Sequence, residues 1–297
     1  MKVLVTGAGG LLGGRLAVLL ARAHEVVGGR HVAAVPAGIA EGPLDLLSSA
    51  SIESALDGAR PEAVVHCAAL ADADRCEAGP DLAFRLNVHG AETLARLCHL
   101  RRIRLVALST DLVFAGDRAG LEESDPPAPL LTYGRTKLRG EEAVFGAAPG
   151  AAVTRVALVV GRGHGPRGTA SETVAWALRA GGTQRLFTDQ YRTPVDADSV
   201  AVAIEGLLRG TASGVFHLGG AERLSRMELG LRVAQALGLP TQGMAAVTQA
   251  DLRLSAPRPA DVSLDSTRAR RELGFSPLPL DDAIRGGRPA PDIIPSP

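Results

Sequence analysis

An apolar run at residues 3–6 passes directly into Thr6-Gly7-Ala8-Gly9-Gly10-Leu11-Leu12-Gly13, and an amphipathic stretch follows at residues 11–23. Strand, glycine turn and helix in that order leave few folds open. Gly7 suits the tight turn, Gly10 lets the backbone come close to a pyrophosphate, and Gly13 lets the helix pack on the strand. The start of that helix, at Leu11 and Leu12, offers unpaired N–H groups to phosphate oxygens. A glycine pattern placed between a first strand and a first helix is a specific signal for dinucleotide binding.

The rest of the chain keeps the same rhythm. Residues 25–28, 63–67, 105–109 and 153–160 read as further buried strands. Residues 51–56, 81–100 and 133–145 carry helical periodicity between them. This alternation predicts an α/β protein with a Rossmann-like, doubly wound parallel sheet. After Gly161 the elements shorten, with helices at 171–180, 196–208, 225–237 and 266–273 and a strand at 214–218. That change predicts a smaller C-terminal substrate lobe. The expected division is a Rossmann domain at 1–155 completed by 187–214, and a substrate lobe from 156–186 and 215–285. A flexible, Pro- and Gly-rich tail is expected at 286–297.

Composition removes several classes of function. The chain has 32 basic and 32 acidic residues and only 3% aromatics, so neither a basic stripe nor a stacking surface points to nucleic acid. It has no 18-residue apolar span and no leader-like apolar segment at its start, which predicts a cytoplasmic protein without a membrane anchor. Its three cysteines are odd in number and lack CxxC spacing. The seven histidines show no metal-ligand spacing, so no catalytic metal is expected. No Gly-x-Ser-x-Gly elbow supports serine hydrolysis.

Only two lysines occur, Lys2 and Lys137; arginine supplies every other cation. Lys137 follows Tyr133 by four residues, which places both on one face of a helix. An ammonium beside a phenol favours the phenolate and is expected to lower the Tyr133 pKa. Arginine is no substitute there. Ser109-Thr110-Asp111 closes a strand 23 residues before Tyr133, at the edge where open α/β sheets bind ligands. Thr110 can hydrogen-bond a carbonyl to which Tyr133 gives its proton. Asn87, inside the helical stretch 81–100, either bonds backbone near Lys137 or kinks its helix.

The second strand ends Gly28-Gly29-Arg30-His31, with no acid for a ribose 2′-hydroxyl. Arg30, with His31, is suited to a 2′-phosphate, which favours NADP(H) over NAD(H). Asp45 and Leu46 follow the third strand and are placed to flank an adenine.

Together these features resemble the extended short-chain dehydrogenase/reductases. The matching residues are the turn 6–13, the strand end Cys67-Ala68-Ala69 that flanks the cofactor, and the YxxxK pair Tyr133/Lys137. Residues 71–77, 109–114, 133–141 and 258–265, and more weakly 189–194, resemble the dTDP-4-dehydrorhamnose reductase family within it. The resemblance implies hydride transfer from NADPH to C4 of a nucleotide-linked 4-keto-6-deoxy sugar. Tyr133 would be general acid, Lys137 would hold the nicotinamide ribose, and Thr110 would polarise the ketone. Asp111, Leu112, Leu158 and Arg192 fall where the sugar would lie. Leu112 and Leu158 replace the aromatic and the tryptophan usual in that family, which reduces stacking surface. The resemblance also implies a homodimer. Two alternatives share the motifs: an epimerase or dehydratase of the superfamily, and a non-catalytic regulatory subunit like the methionine adenosyltransferase β subunit. Against a dehydratase, Asp111 is followed by Leu112 and not by a second carboxylate.

Overall fold

The computed structural model describes residues 1–252, 254 and 256–286. The tail expected at 286–297 lies, except for Gly286, outside the described residues. Seven strands make the central sheet: β1 (Lys2–Thr6), β2 (Glu25–Arg30), β3 (Ala40–Pro43), β4 (Ala63–His66), β5 (Arg104–Thr110), β6 (Ala152–Val156) and β7 (Gly214–Leu218). Their order is β7-β6-β5-β4-β1-β2-β3 and every pairing is parallel. This is the doubly wound Rossmann-like sheet.

Strand alternation builds the two faces. Val3 and Val5 of β1 pack with Leu16, Val200, Ile204 and Leu207, so helices Leu11–Leu20 and Ala197–Arg209 cover one side. Leu4, Val64 and Leu105 point the other way, toward Ile52, Leu56, Leu94 and Val144. Helices Ser49–Ala59, Ala91–Leu100 and Thr132–Ala147 cover that side. A separate apolar cluster joins helices Ala170–Arg179, Arg226–Leu237 and Leu280–Arg285 through Val174, Leu178, Leu229, Val233 and Ile284. Short strand pairs stitch this part together, among them Tyr191–Arg192 with Leu224–Ser225 and Gln184–Phe187 with Met244–Val247.

Two elements differ from the sequence reading. The helix expected at 81–100 is three pieces: Pro80–Phe84, a π turn at Arg85–Gly90, and Ala91–Leu100. A π turn inserts one extra residue into the helical ladder, and here it carries Asn87 inward. The Asn87 Oδ1 accepts from the Leu70 N–H at 2.8 Å, and its Nδ2 donates to the Leu70 carbonyl and to Thr136 Oγ1. Asn87 thus bonds to Leu70 and to the neighbour of Lys137, and distorts its helix while doing so. The strand expected at 153–160 breaks after Val156. Ala157 donates to the Leu218 carbonyl, and Val159–Val160 leaves the main sheet to pair with Val195–Asp196.

Candidate active site

The strand order reverses between β1 and β4, and a crevice opens at the carboxyl ends of strands at such a point. A cavity of about 820 Å³ occupies it. Gly7, Gly10, Leu11, Leu12 and Gly13 form one wall. Gly7 has φ +67°, and a Cβ there would lie 2.7 Å from the Ala68 N, so β1 and the end of β4 can meet only without a side chain. At Gly13 a Cβ would sit 2.3 Å from the Gly7 carbonyl oxygen. Thr6 ties the two strands, its Oγ1 bonding His66 Nδ1 at 2.8 Å and accepting the Ala68 N–H at 3.1 Å.

Cys67, Ala68 and Ala69 continue the wall, and Asp45 and Leu46 close its far corner. Burial, and then the charge of Lys137, push His66 down to about 3, so it is a neutral hydrogen-bonding residue. Burial pushes the Cys67 thiol up to about 12, and it presents an unreactive surface. A side-chain-free turn facing the first turn of a helix fits a dinucleotide pyrophosphate.

Arg30 is not on this wall. Successive side chains of a strand point to opposite sides: Gly29 and His31 line the cavity, whereas Arg30 turns toward β3 and pairs with Glu41 at 3.1 Å. His31 Nε2 lies 3.9 Å from Asp45 Oδ1.

Thr110, Asp111, Leu112, Tyr133 and Lys137 meet at the other end of the cavity. Tyr133 and Lys137 share the inward face of helix Thr132–Ala147, as their spacing requires. Their electrostatics differ from expectation. The Lys137 ammonium is turned to the sheet and donates to the Leu108 carbonyl at 2.7 Å. Burial, and then the charge of Asp111, raise the Tyr133 pKa well above the ordinary phenol range, with a Thr110 hydrogen bond opposing. Burial lowers the Lys137 pKa, against Glu141 and Cys67. Tyr133 is therefore held as the neutral phenol, the form that can donate a proton. Behind Lys137 lies a cavity of about 10 Å³, lined by His66, Asn87, Ser109 and Glu141 among others, which suits one water.

Leu112 and Leu158 both face the large cavity, but Arg192 does not; it stands behind Asp111. Residues 161–168 form a glycine-rich loop. The structure lays His164 and Arg167 along the cleft. The His164 N–H bonds the Leu11 carbonyl at 2.9 Å, and Arg167 Nη1 reaches to 3.8 Å from Asp72 Oδ2 across the mouth.

Residues 1–286 match the RmlD substrate binding domain family. The chain belongs to this family. A probable low-salt glycan biosynthesis reductase, Agl14, of Haloferax volcanii is 35% identical over 96% of each chain. A methionine adenosyltransferase 2 subunit beta of Danio rerio is 31% identical over 96% of this chain and 89% of its own. A dTDP-4-dehydrorhamnose reductase of Mycobacterium tuberculosis is 33% identical over 93% and 88%. Among solved structures, a hypothetical dTDP-4-dehydrorhamnose reductase from Sulfolobus tokodaii superposes with TM-score 0.83 at 31% identity, covering 97% and 100% of the two chains. A Bacillus anthracis dTDP-4-dehydrorhamnose reductase in complex with NADP shares the fold at TM-score 0.84 and 24% identity, over 96% and 98%. This RmlD-family chain is an extended short-chain dehydrogenase/reductase, an NAD(P)-dependent oxidoreductase.

Proposed function

We propose that the chain reduces the 4-keto group of a nucleotide-linked 6-deoxy sugar with NADPH, in the manner of a dTDP-4-dehydrorhamnose reductase. The observation that carries this reading is the convergence of Thr110, Tyr133 and Lys137 at one end of a cleft whose other end is a pyrophosphate-fitting turn. When bound, the nicotinamide supplies the hydride. Tyr133, neutral through burial, gives its proton to the oxygen of the reduced carbonyl. Thr110 hydrogen-bonds that oxygen and strengthens the bond as negative charge develops. Lys137 fixes the nicotinamide ribose, and its charge favours the Tyr133 phenolate that proton transfer leaves behind. Leu112 and Leu158 give the sugar pocket an apolar wall.

NADPH is preferred over NADH because the end of β2 brings Gly29 and His31, and no carboxylate, to the cleft. The working assembly on this reading is a cytoplasmic homodimer.

A second reading has support of its own: the similarity to a methionine adenosyltransferase 2 subunit beta runs nearly the full length. One experiment separates the two. NADPH and NADH oxidation are followed with dTDP-4-dehydrorhamnose, using wild type and Tyr133→Phe. The reductase reading expects faster turnover with NADPH and a loss of roughly 10²–10⁴ in kcat in the variant, with NADPH still bound. Binding of NADPH with no oxidation in wild type supports the regulatory reading.

A further inference from the structure

Asp111 borders the cleft beside Thr110 and is only 5% exposed. Its Oδ1 accepts the Thr110 hydroxyl at 3.0 Å, while its Oδ2 has no hydrogen-bond partner among the described residues. The group that faces Oδ2 is Arg192, whose Nε lies 3.7 Å away and whose side chain is equally buried. Arg192 is not free to swing. Its strand pairs with Leu224–Ser225, Tyr191 bridges to Asp261, and Arg192 Nη1 donates to the Tyr191 carbonyl at 2.6 Å.

Other charges act on the same pair. Arg226, at the start of helix Arg226–Leu237, is pushed down to about 10 by burial and by Arg192, with Asp111 opposing. Asp261 acts on Arg192 from the other side, and Tyr133 feels Asp111 from its own helix. Burial raises Asp111, against Arg192 and the Thr110 hydrogen bond.

Two acceptors then compete for one proton. The Thr110 hydroxyl can donate either to Asp111 or to a substrate carbonyl, never to both at full strength. A cation beside Oδ2 makes the carboxylate the weaker competitor. We propose that Arg192 is a positioning residue: its cation, facing Oδ2, weakens the Asp111 carboxylate as an acceptor, so that the Thr110 hydroxyl is released to the substrate oxygen. Arg192 itself touches neither sugar nor cofactor. The kinetic part of this proposal rests on the reductase reading; the electrostatic part does not.

The test is therefore made first on the protein alone. Carboxyl ¹³C resonances are titrated from about pH 3 to about pH 9 in wild type, Arg192→Gln and Arg192→Met, with Asp111→Asn identifying the Asp111 signal. Loss of a facing cation disfavours the carboxylate, so the Asp111 midpoint is expected to rise by at least about one pH unit in either variant that folds. A midpoint displaced by less than about 0.3 unit overturns the proposal, because neighbouring opposite charges move such groups by about one to three units. Kinetics give the second arm. Arg192→Gln should lower kcat at least about tenfold at neutral pH, with the loss shrinking as pH falls through the raised Asp111 midpoint and with NADPH affinity unchanged. The same substitution should cost nothing further in an Asp111→Asn background. Equal losses in both backgrounds count against the proposal. Absence of any turnover in wild type counts against the reductase reading and leaves the titration result to decide the role of Arg192.

Discussion

Lys137 is one of two lysines in a chain of 297 residues, and its surroundings explain why arginine does not replace it. The ammonium is buried, donates to the Leu108 carbonyl, and borders a space large enough for a single water. A guanidinium is a broad planar fork, and a space of about 10 Å³ beside the ammonium does not admit it. Lys137→Arg should therefore lose activity at least about a hundredfold although its charge is kept, as measured by kcat under saturating cofactor. Activity within threefold of wild type would show that charge alone is what the site needs. Identity and spacing made this residue and Tyr133 legible in the sequence. Their electrostatics were not, because helical spacing says nothing of how deeply a face is buried. Burial, and not the ammonium, dominates the Tyr133 phenol.

At the level of elements, the periodic pieces were legible and the departures were not. The glycine turn and the strands on either side of it are written locally, since each residue answers to its own neighbours in sequence. The π turn at Arg85–Gly90 answers to Leu70 and Thr136, which are distant in sequence, so the helical pattern runs through it without a mark. Arg192 was misplaced for the same reason: pairing with Leu224–Ser225 sets its direction. The helix that carries the site has a long-range anchor as well. Glu141 and Arg155, both about 5% exposed, form a buried pair at 2.7 Å that links this helix to β6, and Glu141 also accepts the Ser109 hydroxyl. Breaking such a pair strands a charge away from water. Arg155→Met should reduce stability by about 3–5 kcal/mol in urea unfolding, and adding Glu141→Leu should recover part of that loss. A cost below about 1 kcal/mol for Arg155→Met would mean that the pair is not structural.

For the whole molecule, two buried histidines set the response to acid. His66 and His217 are each held near 3 in the folded chain, chiefly by burial, against 6.5 for the free side chain. Their pKa values are lowered, so the unfolded chain takes up protons first as pH falls. Stability is complete above about pH 6.5 and is lost between there and about pH 3, by up to about 1.4 kcal/mol per pH unit for each histidine. Urea midpoints measured across that window should fall steadily, and less steeply in His217→Gln; a flat profile would contradict the neutral assignment. On the reductase reading, a nicotinamide cofactor bound along this cleft gives its hydride to a sugar carbonyl beside Tyr133. That claim is tested most directly by supplying NADPH deuterated at nicotinamide C4 with dTDP-4-dehydrorhamnose and examining the sugar product by mass spectrometry and NMR. A single deuterium on sugar C4 is expected, with its formation abolished in Tyr133→Phe. NADPH bound in the cleft with no deuterium reaching any nucleotide sugar would contradict it.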